Sequence, residues 1–153
     1  MARVYTFSVV ASSVSVAQDL MAIYTGARSF KLHWITIGQT TAASVGNLPI
    51  SIKRIGGTLT NGSGGTTPTG VPVEPNDAAA TVTAHANDTT QASGTTTVVL
   101  ARDGYNVVNG YLFQPPESDR PVFAPGEICV LSLDSGVSPA QNTLITLCGE
   151  EGF

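Results

Sequence analysis

The sequence predicts an all-β fold, a single-domain, jelly-roll-like β-sandwich, on three observations. Apolar and polar residues alternate with a period of two through many short stretches. Gly, Pro, Asn and Asp bound those stretches. No segment offers a long amphipathic helix, so the layers that bury one another must be sheets.

Tyr5, Phe7 and Val9 share one face of a first strand. In residues 18–25, Leu20, Ala22 and Tyr24 alternate with Met21 and Ile23. That run could also be helical, but it is short and Gly26 stops it, so strand is the better reading. Phe30, Leu32 and Trp34 alternate with Lys31 and His33, and Ile35 and Ile37 continue the run. Ile50, Ile52 and Ile55 follow Pro49, Val82 sits within 79–86, and 95–101 opens on a β-branched series. Residues 105–113 carry Val107, Val108, Tyr111 and Phe113, and the clearest strands are 127–133 and 143–148. Pro125-Gly126 suits the two central positions of a type II turn, Pro setting the first φ and Gly supplying the positive second one. The total is roughly eight to ten strands, as a sandwich or barrel requires.

The last two stretches suggest an antiparallel hairpin. With Leu133 facing Leu144, Leu131 opposes Thr146 and Cys129 opposes Cys148, their Cβ atoms about 4.5–5.5 Å apart. A relaxed disulfide needs a shorter separation, so the expectation is two free thiols side by side in the core.

The chain has 153 residues, one domain over 1–153, able to bury about two-thirds of its unfolded surface without disulfides or a structural metal. Charged residues are 12%, roughly half the usual share of about 25%. Hydrophobic content of 42% argues against disorder as the reason. The surface must therefore be Thr, Ser, Gly, Asn and Gln, or face other protein. Net charge is -4, and Lys53-Arg54 is the one adjacent basic pair, so no basic stripe exists for nucleic acid. No apolar run approaches the roughly 18 residues of a membrane span. Residues 4–16 are interrupted by Thr6, Ser8, Ser12 and Ser13, which suits a first strand better than an export signal.

Residues 56–75 are the exception to the alternating pattern. They hold Gly56-Gly57, Asn61-Gly62-Ser63-Gly64-Gly65, Pro68, Pro72 and Pro75, a composition with much backbone entropy and little to bury. β pattern on both sides makes this a long loop inside the domain, a place where function or disorder is common. If ordered, such a loop would be expected to rest on neighbouring molecules.

Several motifs invite chemistry. Asp134-Ser135-Gly136 matches the aspartic-protease tripeptide, but that mechanism needs two facing carboxylates, and a hairpin loop uses the same residues. His33 and His85 are the only histidines, and no G-x-S-x-G elbow supports a serine nucleophile. Cys129 and Cys148 lie outside any C-x-x-C pair, so zinc is not expected, and at apolar strand positions they suit inert core residues. The glycines at 62, 64 and 65 lack the Lys-Ser/Thr of a phosphate loop. Asp103-Gly104-Tyr105-Asn106 has too few oxygen ligands for calcium. Asn61-Gly62-Ser63 and Asn87-Asp88-Thr89 fit the glycosylation pattern, which has meaning only on an exported chain. Glu117, Asp119 and Arg120, framed by Pro115-Pro116 and Pro121, form a charged loop that could serve as a contact. No catalytic, cofactor-binding or metal-ligating residue is assigned.

The chain resembles a group of tailed-bacteriophage virion structural, or head decoration, proteins. The resemblance lies in Gln18-Asp19-Leu20, Lys31-Leu32-His33-Trp34 with Ile37-Gly38-Gln39-Thr40, and Ser51-Ile52-Lys53-Arg54. It continues in Gly64-Gly65-Thr66-Thr67-Pro68, Pro75-Asn76-Asp77-Ala78-Ala79 and residues 84–90. It ends in Pro115-Pro116-Glu117, Arg120-Pro121, Ala124-Pro125-Gly126-Glu127 and Glu150-Glu151. It implies a non-enzymatic capsid decoration or cement protein, made in the host cytoplasm and carried on the virion surface. Its partner would be the major capsid protein, and its own form a homo-oligomer, with a trimer preferred. A tail or head-fibre component is the alternative within assembly. A carbohydrate-binding module, using Trp34 or Tyr111 as platform, is the rival from another class. Extended termini would suit strand addition to a neighbour's sheet.

Overall fold

The computed structural model describes residues 2–40 and 46–152; Met1, at the head of the segment weighed as an export signal, lies outside them. Eleven strands are present among the described residues: β1 (Arg3–Val14), β2 (Gln18–Tyr24), β3 (Phe30–Gln39), β4 (Asn47–Gly56), β5 (Val71–Pro72), β6 (Thr83–Asp88), β7 (Thr96–Asn106), β8 (Tyr111–Phe113), β9 (Val122–Phe123), β10 (Ile128–Leu133) and β11 (Gln141–Glu151). A 3₁₀ turn, Glu117–Asp119, follows Pro116. The first sheet runs β5-β1-β11-β3-β8, with β9 also on β3, and the second runs β6-β2-β10-β4-β7.

Without the two-residue strands and β6, eight strands remain. Counted along the chain, they lie first-eighth-third-sixth in one sheet and second-seventh-fourth-fifth in the other. That order, all antiparallel, is the jelly-roll arrangement of paired Greek keys. The main core fills the space between the sheets with Tyr5, Phe7, Phe30, Leu32, Ile35, Ile52, Leu131 and Leu147, among others. Phe7 and Phe30 meet edge to face at 6.5 Å.

Local sequence explains most of the elements. Tyr5 and Phe7 are fully buried on the inner face of β1. Residues 18–24 form a strand buried at every position: Met21 and Ile23 enter the main core, while Ala22 and Tyr24 face a second one. In β3 the inward phase changes from Phe30 and Leu32 to Ile35 and Ile37. The cause is a bulge, since Trp34 pairs with Cys148 and Leu32 with Gly149, leaving His33 as the extra residue. The type II turn forms as read: Glu127 N donates to Ala124 O at 3.1 Å and Gly126 has φ 78°.

The structure corrects four expectations. First, 127–133 and 143–148 are not a hairpin. β10 lies between β2 and β4 in the second sheet, and β11 between β1 and β3 in the first. β10 is buried along its whole length, and both of its edges are taken by strands distant in sequence, β2 and β4. Cys129 and Cys148 are thus on different sheets, both free and buried. Second, 105–113 is not one strand. Asn106 ends β7, and its Oδ1 accepts Val108 N and Asn109 N at 2.9 and 3.0 Å. That turn sends the chain across to β8 in the other sheet. Third, the terminal strands are not free arms, because β1 and β11 pair with each other from Arg3↔Glu151 onward. Fourth, the long Gly-rich loop has ties within its own domain, through bridges to residues 86, 90 and 93.

Candidate interaction surface

The two sheets differ in how their outer faces are treated. On the second sheet, Ala22, Tyr24, Ile55, Ile128 and Val130 form a small outer core with Ala92, and Leu59 packs against it. The Gly-rich loop closes over it through bridges from Thr60 to Ser93, Ser63 to Thr90 and Thr66 to Ala86. Gly62 N donates to the Tyr24 hydroxyl at 2.9 Å. An alanine Cβ at position 65 would lie 2.0 Å from Ala86 O, so glycine there lets the loop lie directly on the sheet.

Two buried carboxylates anchor this cover. Asp19 Oδ2 accepts Ala92 N at 2.7 Å, and its Oδ1 accepts Ser132 Oγ at 3.0 Å and Gln91 Nε2 at 3.3 Å. Asp88 Oδ1 accepts Gly65 N at 3.1 Å, and His85 Nδ1 lies 3.6 Å from its Oδ2. Burial holds both carboxyls above the usual aspartate range; hydrogen bonds at Asp19, and His85 with the Gly65 bond at Asp88, oppose the shift. Three of the stretches that carried the resemblance, around Asp19, Gly65 and Asp88, therefore meet as structural ties.

The first sheet has no such cover among the described residues. Val10 and Leu144 are paired across β1 and β11 and are 56% and 42% exposed, and Leu112 on β8 is 59% exposed. Beside them Ser8 Oγ and Thr146 Oγ1 are 2.9 Å apart, and a shallow groove of about 320 Å³ runs between the two strands. Ionisable side chains collect at the far end of the face, where Glu150 Oε2 meets His33 Nε2 at 3.2 Å and Lys31 Nζ at 3.6 Å. An apolar, uncharged centre with charge displaced to the margin is the anatomy of a protein-binding surface. Sequence reading passed over these residues. The signal was the doublets Val9-Val10 and Leu144-Ile145, which place an apolar side chain on both faces of a strand.

The other singled-out residues have mostly structural partners. Asp134 accepts Ser51 Oγ at 2.8 Å and Lys53 Nζ at 3.1 Å, tying the loop after β10 to β4. Cys129 is enclosed in the main core and its thiol is pushed well up by burial. Cys148 is pushed up to about 11 for the same reason, with Arg120 opposing the shift. Residues 103–106, which read as a turn in the sequence, lie within β7 and pair with β4, and Asp103 Oδ1 accepts Gly104 N at 2.7 Å. Asn61 is exposed, whereas Asn87 has φ 61° and donates to Ser12 O at 3.2 Å. Glu117 and Asp119 are exposed on the 3₁₀ turn. Neither proposed sugar platform offers a fully exposed ring. Trp34 is half-buried, and Tyr111 packs against the main core, its phenol pushed up to about 12 by burial and by Asp103.

Comparison with protein-family models, with curated proteins and with solved structures finds no match.

Proposed function

We propose that this chain is a non-enzymatic decoration, or cement, protein of a tailed-phage head, seating the outer face of its first sheet on the major capsid protein. The observation that carries the reading is the contrast between the two sheet faces. The molecule covers the outer face of its second sheet with its own loops, yet leaves Val10 and Leu144 exposed at the uncharged centre of the first and Leu112 exposed on its edge strand β8. The resemblance to head decoration proteins supplies the partner, and a shell offers the same surface many times over, so copies linked as an oligomer turn modest contacts into avidity.

The test is co-sedimentation with purified heads of the virus that encodes the chain. Wild type is expected to pellet with heads, and the Val10→Glu/Leu144→Glu double variant to remain in the supernatant with its unfolding midpoint little changed. Absence of wild-type binding would overturn the head reading. Electron micrographs showing labelled protein at the tail or on fibres would favour the alternative within assembly.

A further inference from the structure

An open strand edge poses a physical problem, because its free N–H and C=O groups can pair with another chain. Four of the five lateral strands here are short or covered. β5 has two residues, one of them Pro72; β8 has three and β9 two. β6 is met on its outer side by the Thr66–Ala86 bridge, with backbone bonds of 2.8 Å in both directions. β7 differs: it is eleven residues long and, apart from the Asn106–Gly110 bridge at its far end, pairs only with β4 among the described residues.

The sequence of that edge is Thr95-Thr96-Thr97-Val98-Val99-Leu100-Ala101, without a charge. It lacks the Lys or Pro that usually blunts such an edge. Val98 and Val99 are 50% and 37% exposed. Leu100 is the extra residue of a bulge, since Ile52 pairs with Ala101 and Lys53 with Val99. The bulge bends the strand and puts Arg102 and Asp103 beyond the bend. Thr58 N donates to Thr95 Oγ1 at 3.0 Å and steadies the other end. The open, uncharged length is thus 95–99.

We propose that this edge pairs antiparallel with the same edge of a second copy of the chain, across a two-fold axis at Thr97. A two-fold contact sets a segment against itself, so any charge within it would meet its like. Here Thr97 faces the partner's Thr97, Thr96 faces the partner's Val98, and Thr95 faces the partner's Val99. On a molecule of net charge -4, this edge lets a copy approach without opposing carboxylates. The second sheet of each protomer would continue into that of its partner, leaving the outer face of both first sheets free. The pairing is two-fold, unlike the trimer that the resemblance implies, and it does not depend on the head-surface reading. It buries less than the about 1,600 Å² of a standard interface, so a weak dimer is expected, with a dissociation constant in the micromolar-to-millimolar range.

Sedimentation velocity of the full chain across that range tests it. The expected result is a concentration-dependent dimer, weakened at least about tenfold by Val98→Lys and by Thr97→Lys, each of which adds charge to an exposed edge. Leu144→Glu should leave the dimer intact. Amide exchange at 96–99 should slow as concentration rises, and thermal unfolding verifies that each variant is folded. A wild type that stays monomeric would overturn the proposal. So would a trimer, or a dimer that Leu144→Glu dissolves and the two lysine variants do not.

Discussion

Glu151 Oε2 accepts both the amide and the hydroxyl of Thr81, at 2.9 and 3.0 Å, and takes the amide of Val82 at 3.1 Å. One carboxylate oxygen at the end of the last strand thereby fixes the segment that leads into β6. Glu151 and Val82 are each only 3% exposed, so solvent is poorly placed to replace the lost acceptor. Glu151→Ala should cost about 2–4 kcal/mol by stranding buried donors, lowering the unfolding midpoint by roughly 5–15 °C. Glu151→Gln keeps an acceptor and should cost less than the alanine change. Equal losses for the two variants in thermal unfolding would contradict this account.

The loop cover carries a pH signature through Asp19. Its folded pKa is raised, chiefly by burial, above an unfolded value of about 3.9. The folded state then holds a proton that the unfolded state releases. The stability Asp19 contributes is therefore full below about pH 3.9 and is lost as pH rises through the folded pKa. Asp19→Asn does not titrate, so comparison with it isolates this group. The stability of wild type relative to Asp19→Asn should decline from acid toward neutral pH in denaturant titrations. A difference that grows with pH would reverse the sign and refute the assignment.

Gly65→Ala should loosen the cover. Its Cβ would meet Ala86 O at 2.0 Å and Asn87 C at 2.7 Å, backbone atoms that cannot rotate away. The loop must lift, and the cost should be at least about 2 kcal/mol. Gly46→Ala meets nothing within 4 Å among the described residues and should stay within about 0.5 kcal/mol of wild type. Chemical unfolding checks both, and limited proteolysis should find 57–66 cut faster in Gly65→Ala alone.

The thiols provide a fourth check. Both are free and buried, and both are held protonated by burial, while the thiolate is the reactive form. Native protein should react slowly with a thiol reagent, and denatured protein should yield two equivalents without added reductant. A fast native equivalent, or none after denaturation, would contradict the arrangement.

Fold class was legible in the sequence because alternation is a local property. Tyr5 and Phe7, or Cys129 and Leu131, turn inward whichever strand lies beside them. The type II turn at Pro125-Gly126 was legible for the same reason, its dihedral preferences residing in two adjacent residues. The bulge at His33 was present as a change of phase between Leu32 and Ile35.

Strand pairing was decided only by the tertiary structure. Cys129 and Cys148 lie in strands consecutive in the chain, and a hairpin was the nearest local solution. Each strand, however, occupies the interior of a different sheet, because a strand flanked on both edges must recruit neighbours from distant sequence. The Gly-rich loop shows the same division. Its composition declared high backbone freedom, but that freedom is spent on close approach to Tyr24, Ala86 and Asp88, which are far away in the chain. The sequence alone therefore determined which side chains are apolar and with what period. Only the packed sheets decided which apolar face would be covered and which left open, since burial depends on what stands opposite.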